Sequence, residues 1–139
     1  MTTVCGVELK GHEAIFTIVE KKDDGGFVVK PIDTKKIALK DSESRESIKE
    51  FKEQINNFIA DNNVETVCIK KRSKKGEFSG GADTFIMEAM IQDSDAKDVK
   101  LVSPQAVSAY QKKNNIVAPD ELNKYQHNAY LTAVTGANK

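Results

Sequence analysis

The chain has only two cysteines and two histidines, three prolines, no tryptophan and 6% aromatic residues. Cys5 and Cys68 both fall inside apolar, strand-like segments, so they read as buried core thiols in a reducing compartment rather than as a disulfide framework. With His12 and His127 the only histidines, no zinc-ligand spacing exists. His12, at a strand edge, reads as a solvated side chain. No stretch approaches the roughly 18 consecutive apolar residues of a membrane span. The opening MTTVCGVELKG has neither the basic segment nor the long apolar run of a secretory signal, so a cytoplasmic protein without a membrane partner is expected. Net charge is also missing, because 21 Lys and Arg cancel 21 Asp and Glu. Any electrostatic recognition must therefore come from a local patch.

What is present, 39% hydrophobic and 30% charged residues over 139 positions, is the composition of a globular chain able to bury about two-thirds of its unfolded surface. One domain over 1–139 without repeats is expected. Residues 3 to 9 and Ala14 to Val19 read as strands. Lys21 to Gly26 reads as a hairpin turn, since Gly25 and Gly26 tolerate positive φ. Phe27 to Ile32 reads as a third strand, extended past a bend by Lys36 to Leu39.

Ser42, Ser44 and Ser47 offer N-caps, and Ser47 with Glu50 has capping-box spacing. Ile48, Phe51, Ile55, Phe58 and Ile59 follow at helical spacing. Val64 to Ile69 is a continuous apolar run, as a central parallel strand shows. A largely buried helix is expected over 82–92, a last strand over Val99 to Val102, and a short helix from Ser103 and Pro104 through Tyr110, broken by Asn114 and Asn115. Pro119, Asp120 and Glu121 predict the opening of a C-terminal helix, with Gly136 as its stop. The order β-β-β-α-β-α-β-α-α predicts an α/β fold, a mixed five-stranded sheet with three antiparallel strands first and helices on its faces.

Two runs carry the functional signal. GVELKG at 6–11 ends a buried strand in charge. CIKKRSKKGEFSGGA at 68–82 is a strand opening into a basic, glycine-rich loop. Lys70, Lys71, Arg72, Lys74 and Lys75 put five positive charges in six positions, and Gly76, Gly80 and Gly81 let backbone amides approach a ligand before the next helix, which suits phosphate or a nucleic-acid backbone. The plain alternative is a solvated charge run, partly neutralised by Glu8, Glu77, Asp83 or Glu88. No Gly-Lys-Ser or Gly-Lys-Thr closes the loop, so it is not a nucleotide phosphate loop. Phe78 is the only aromatic inside it, which favours backbone contact over base reading.

Gly6, Val7 and Glu8, the LKG that follows, the strand ending near residue 70 and SPQAVSAYQKK at 103–113 together resemble the ribonuclease H-like fold in its Holliday-junction-resolvase, RuvC-like branch. CGVELKG and KKGEFSGGA resemble a family of small bacterial proteins grouped as domain of unknown function 3010, over nearly the whole chain. The resolvase resemblance implies cleavage of nucleic acid by carboxylates that hold two magnesium ions about 4 Å apart. Glu8 matches the first acid and is the one candidate catalytic residue. The second position reads Lys70, and the C-terminal stretch reads Gln126, His127, Asn128 and Ala129. An ammonium group where a divalent cation would sit predicts a Glu8–Lys70 ion pair and no metal. Asp83, Glu88, Asp120 and Glu121 are the acids left to substitute. His127 and Asn128 are expected to face Glu8, His127 either as a general base or as an exposed helix residue. The expected function is non-catalytic binding of nucleic acid or a phosphate-bearing ligand, without a cofactor. The alternatives are a magnesium-dependent nuclease with rearranged acids and a protein-interaction module.

Overall fold

The computed structural model describes residues 2–71 and 81–138. Its strands are β1 (Thr2–Lys10), β2 (Glu13–Lys21), β3 (Phe27–Lys30), β4 (Lys36–Ala38), β5 (Thr66–Lys70) and β6 (Asp98–Val102). Its helices are α1 (Arg45–Asp61), α2 (Ala82–Gln92), α3 (Pro104–Asn114) and α4 (His127–Ala137), the last preceded by a 3-10 turn over Lys124–Gln126. The sheet runs β3-β2-β1-β5-β6, with β4 also on β2. β1 is antiparallel to β2 and parallel to β5, and β5 is parallel to β6.

Because β1 lies centrally, both of its faces are covered and it is apolar on both. Cys5, Val7 and Leu9 join Phe16, Ile18 and the inner face of α1, where Phe16 stacks on Phe58 with ring centroids 4.4 Å apart. Val4 faces the other way, into a cluster with Cys68, Val102, Tyr130, Ala133 and Val134 beneath α4. Both cysteines are buried thiols outside any disulfide, as expected, and burial, with neighbouring Cys68 adding to it, pushes the Cys5 thiol far above its ordinary range.

Five strand positions are filled as the sequence predicts, but the bent third strand divides in two. β3 pairs with Ile18 to Lys21 of β2 and β4 with Glu13 to Ile15. Pro31 follows β3 directly and has no N–H for the ladder, so pairing lapses until the Lys35 carbonyl accepts from Phe16 N at 2.9 Å.

Of the N-caps the sequence offers, Ser44 closes α1, its Oγ accepting from Ser47 N at 3.3 Å. Ser47 Oγ instead accepts from Asp41 N, and Glu50 pairs with Lys40, so the expected Ser47–Glu50 box does not form. α3 continues to Asn114 and ends where Asn115 takes φ 51. The C-terminal helix does not open at Pro119. Residues 119–122 form a turn in which Leu122 N donates to Pro119 O, and α4 begins only at His127.

That later start is set by Gln126, which is buried. Its Nε2 donates to Phe16 O at 3.0 Å, its Oε1 accepts from Asn123 N at 3.1 Å, and its carbonyl accepts from Thr17 Oγ1 at 3.1 Å. Gly136 does not stop the helix. It lies inside α4, where a Cβ would run into Cys68 Sγ and stand 3.2 Å from Val102 Cγ2.

Candidate functional site

Glu8 lies near the end of β1 on the face that α4 covers. Val7 pairs with Ile69, which brings Glu8 level with Lys70, the last residue of β5. Lys70 Nζ stands 3.8 Å from Glu8 Oε2, and Asn128 Nδ2 donates to the same oxygen at 2.9 Å. Three elements thus converge on one carboxylate that is only 9% exposed.

The approach of α4 follows from Gly6. It shares the Glu8 face, and having no Cβ it lets the Ala129 carbonyl and Ala133 of α4 lie against the strand. Gln126 holds the start of α4 to β2, and Thr132 Oγ1 donates to Asn128 O at 2.7 Å. The sequence reading did not single out Gln126 as a positioning residue. An isolated glutamine carries no local sign of a partner 110 positions away.

His127 does not share the site. It is half-buried and makes no hydrogen bond to Glu8, because successive helical residues point about 100° apart and Asn128 takes that direction. Lys71 is exposed and donates its backbone N–H to Val102 O at 2.8 Å. Gly81 is the N-cap of α2, with open space where a Cβ would be. Arg72, Lys74, Lys75, Gly76, Phe78 and Gly80 lie outside the described residues. Of the acids that could substitute in a metal centre, Glu88 is buried on α2, Asp83 sits in its first turn, and Asp120 and Glu121 lie in the turn before α4. Among the described residues no three His, Cys, Asp or Glu side chains are grouped to hold a metal ion.

The donor set around Glu8 does not suit the magnesium that the resolvase resemblance implies. Magnesium takes oxygen ligands, whereas an ammonium group and an amide N–H are directed at this carboxylate. What the arrangement does chemically is neutralise a nearly buried charge. Lys70→Ala is expected to lower stability by about 1–3 kcal/mol, since it removes one of the two partners that the carboxylate has among the described residues. Adding Glu8→Gln to it should recover most of the loss. Urea unfolding of wild type, both single variants and the double variant measures the coupling, and a coupling near zero would mean that the pair contributes nothing.

This sheet order, with helices on both faces and an acid near the end of the central first strand, is that of the ribonuclease H-like fold, and the chain resembles RuvC and related resolvases in fold. Thermus thermophilus RuvC, solved with a Holliday junction substrate, superposes with a TM-score of 0.71 at 12% identity, over 99% of this chain and 93% of that one. Fowlpox virus resolvase, solved with its Holliday junction DNA, gives 0.55 at 13% identity over 99% and 97%. The yeast mitochondrial Holliday junction resolvase gives 0.55 at 13% over 96% and 78%. The chain belongs to the family described as protein of unknown function (DUF3010), whose profile matches residues 1–136. No curated protein matches it. No helix among the described residues is long and apolar enough to cross a membrane.

Proposed function

We propose that this protein binds nucleic acid through its phosphates, on a RuvC-like scaffold whose acidic centre no longer holds metal, and does not cut it. The observation that carries this reading is the Glu8 carboxylate, occupied by Lys70 at 3.8 Å and Asn128 at 2.9 Å. Lys70 and Lys71 begin a run of five positive charges in six positions of a chain that is neutral overall. They lie at the strand end beside Glu8, and the RuvC and fowlpox resolvase structures of the same fold hold junction DNA. In this reading Lys70, Lys71, Arg72, Lys74 and Lys75 face phosphates, Gly80 and Gly81 bring backbone amides close, and Glu8 is a structural anion and not a metal ligand.

The test is binding of the purified protein to labelled four-way-junction, duplex and single-stranded DNA and to RNA, with and without magnesium. Three to five phosphate contacts predict a loss of roughly 40- to 500-fold in duplex affinity between about 50 and 200 mM salt. Lys71→Ala should lower the slope of log affinity against log salt by about 1 without altering the melting temperature. Magnesium-dependent strand breakage would replace this reading with a nuclease. Absence of binding at low salt would turn attention to protein partners.

A further inference from the structure

The row that contains Glu8 continues across the sheet. Glu8 pairs with Ile15 on β2, and Ile15 pairs with Lys36 on β4. Lys70, Glu8, Ile15 and Lys36 therefore form one line over four strands, all on the face covered by α4, about 14 Å long at the usual strand spacing. At its far end the ring centroid of Tyr125 lies 4.3 Å from Lys36 Nζ. The Tyr125 hydroxyl accepts from Asn123 Nδ2 at 3.1 Å, and Lys36 also meets Glu13 at 4.0 Å. Tyr125 is 40% exposed, the one aromatic among the large exposed hydrophobic side chains of the described residues.

A tyrosine with a cation over its ring and its hydroxyl tethered is held in place, and two-fifths of this residue stays open to solvent. Phe16, Phe51, Phe58 and Tyr130 instead enter the core. The ring stands just before α4, at the opposite end of the row from Lys70. Glu8 and Ile15 in the middle of the row are buried, so a polynucleotide whose phosphates engage Lys70 and Lys71 would pass over the exposed start of α4, by Asn128 and Lys124, and bring its bases to this ring within a few nucleotides.

We infer that Tyr125, backed by Lys36, is a stacking platform for one unpaired nucleobase. The inference rests on the proposed nucleic-acid binding and narrows its substrate class. A base inside a continuous duplex has both faces covered by its neighbours, whereas a single strand or an open branch point presents a free face. The preferred ligand is thus nucleic acid with unpaired bases next to a phosphate track, and the contact is tolerant of sequence because every base has a π-face.

The test compares a labelled single strand with a duplex whose two ends are closed by hairpin loops lying outside the protein's reach. Tyr125→Ala is expected to weaken single-strand binding by about 5- to 150-fold, to change duplex binding by less than about twofold, and Tyr125→Phe to retain both. Lys71→Ala weakens both ligands alike. Since the chain has no tryptophan, Tyr125→Trp supplies a direct reporter, its fluorescence quenched by the single strand and not by the closed duplex. If Tyr125→Ala binds the single strand as wild type does, or the reporter is not quenched, the stacking inference falls and phosphate binding stands. If Tyr125→Ala loses both ligands equally, the ring does not discriminate unpaired bases and the inference also falls. If wild type binds neither ligand, both readings fall together.

Discussion

Gly6→Ala is expected to cost about 3 kcal/mol or more, lowering the melting temperature by about 10 °C or leaving no folded protein. A Cβ on Gly6 would overlap the carbonyl oxygen of Ala129 and stand 2.8 Å from Ala133 Cβ. The first obstacle is backbone within the hydrogen-bonded ladder of α4, so no rotamer change relieves it. The helix would have to lift from β1, opening the contacts that Val4 and Cys68 make with Ala133 and Val134. The same displacement would draw Asn128 away from Glu8, two residues further along the same face of β1. Gly136→Ala is the milder companion. Its first obstacle is the Cys68 side chain, but that chain is fully buried, so relief there is limited too. Thermal and urea unfolding of both variants measures the effect, and a Gly6→Ala protein as stable as wild type would mean that α4 is not seated as described.

Much of this fold is visible in the pattern of apolar residues because its elements answer to local rules. β1 and β5 read as buried strands since both faces of each are covered, and α1 declares its inner face through Phe51, Ile55, Phe58 and Ile59. The errors arise where long-range contacts overrule local signals. Pro119, Asp120 and Glu121 have the chemistry of a helix start, but the chain turns there, because Gln126 bonds to Phe16 and anchors the helix later. Gly136 has the chemistry of a helix stop, yet its missing side chain serves packing against Cys68. A glycine required by a neighbour across the core and a glycine required by a turn are the same letter.

The candidate site divides in a similar way. That Glu8 would meet Lys70 followed from the resemblance to resolvases together with the order of the strands, and the 3.8 Å pair agrees with it. His127 and Asn128 could not be separated by sequence, since the choice depends on the rotation of α4 about its axis. Gly6 and Gln126 set that rotation by packing and by a distant hydrogen bond. Tyr125 carried no sign of interest. Its place beside Lys36 comes from the pairing of β4 with β2, two strands away from Glu8.

Lys70→Glu combined with Asn128→Asp is expected to create a divalent-metal site where the wild type holds an ion pair. Glu8 Oε2 now receives an ammonium at 3.8 Å and an amide N–H at 2.9 Å. The two substitutions replace these groups with carboxylates projecting from the same backbone positions. Without metal, three like charges around a nearly buried oxygen repel, and the double variant should be less stable than wild type by about 3–5 kcal/mol. With manganese or magnesium the site should take the ion, because hard cations of this kind are held by clustered carboxylate oxygens. Since the ion binds only the folded chain, saturation at about 100 times Kd should return about 2.7 kcal/mol. The melting temperature of the double variant therefore rises steeply with added metal while that of wild type stays flat, and calorimetry should show binding at least about a hundredfold tighter, as charge reversal this close to a divalent ion implies. The readout does not depend on catalysis, so it tests geometry alone. A double variant that folds but is not stabilised by either metal would show that β1, β5 and α4 do not bring these three positions to a common point. Stabilisation would show that the metal is excluded from the natural chain by two side chains and not by its backbone.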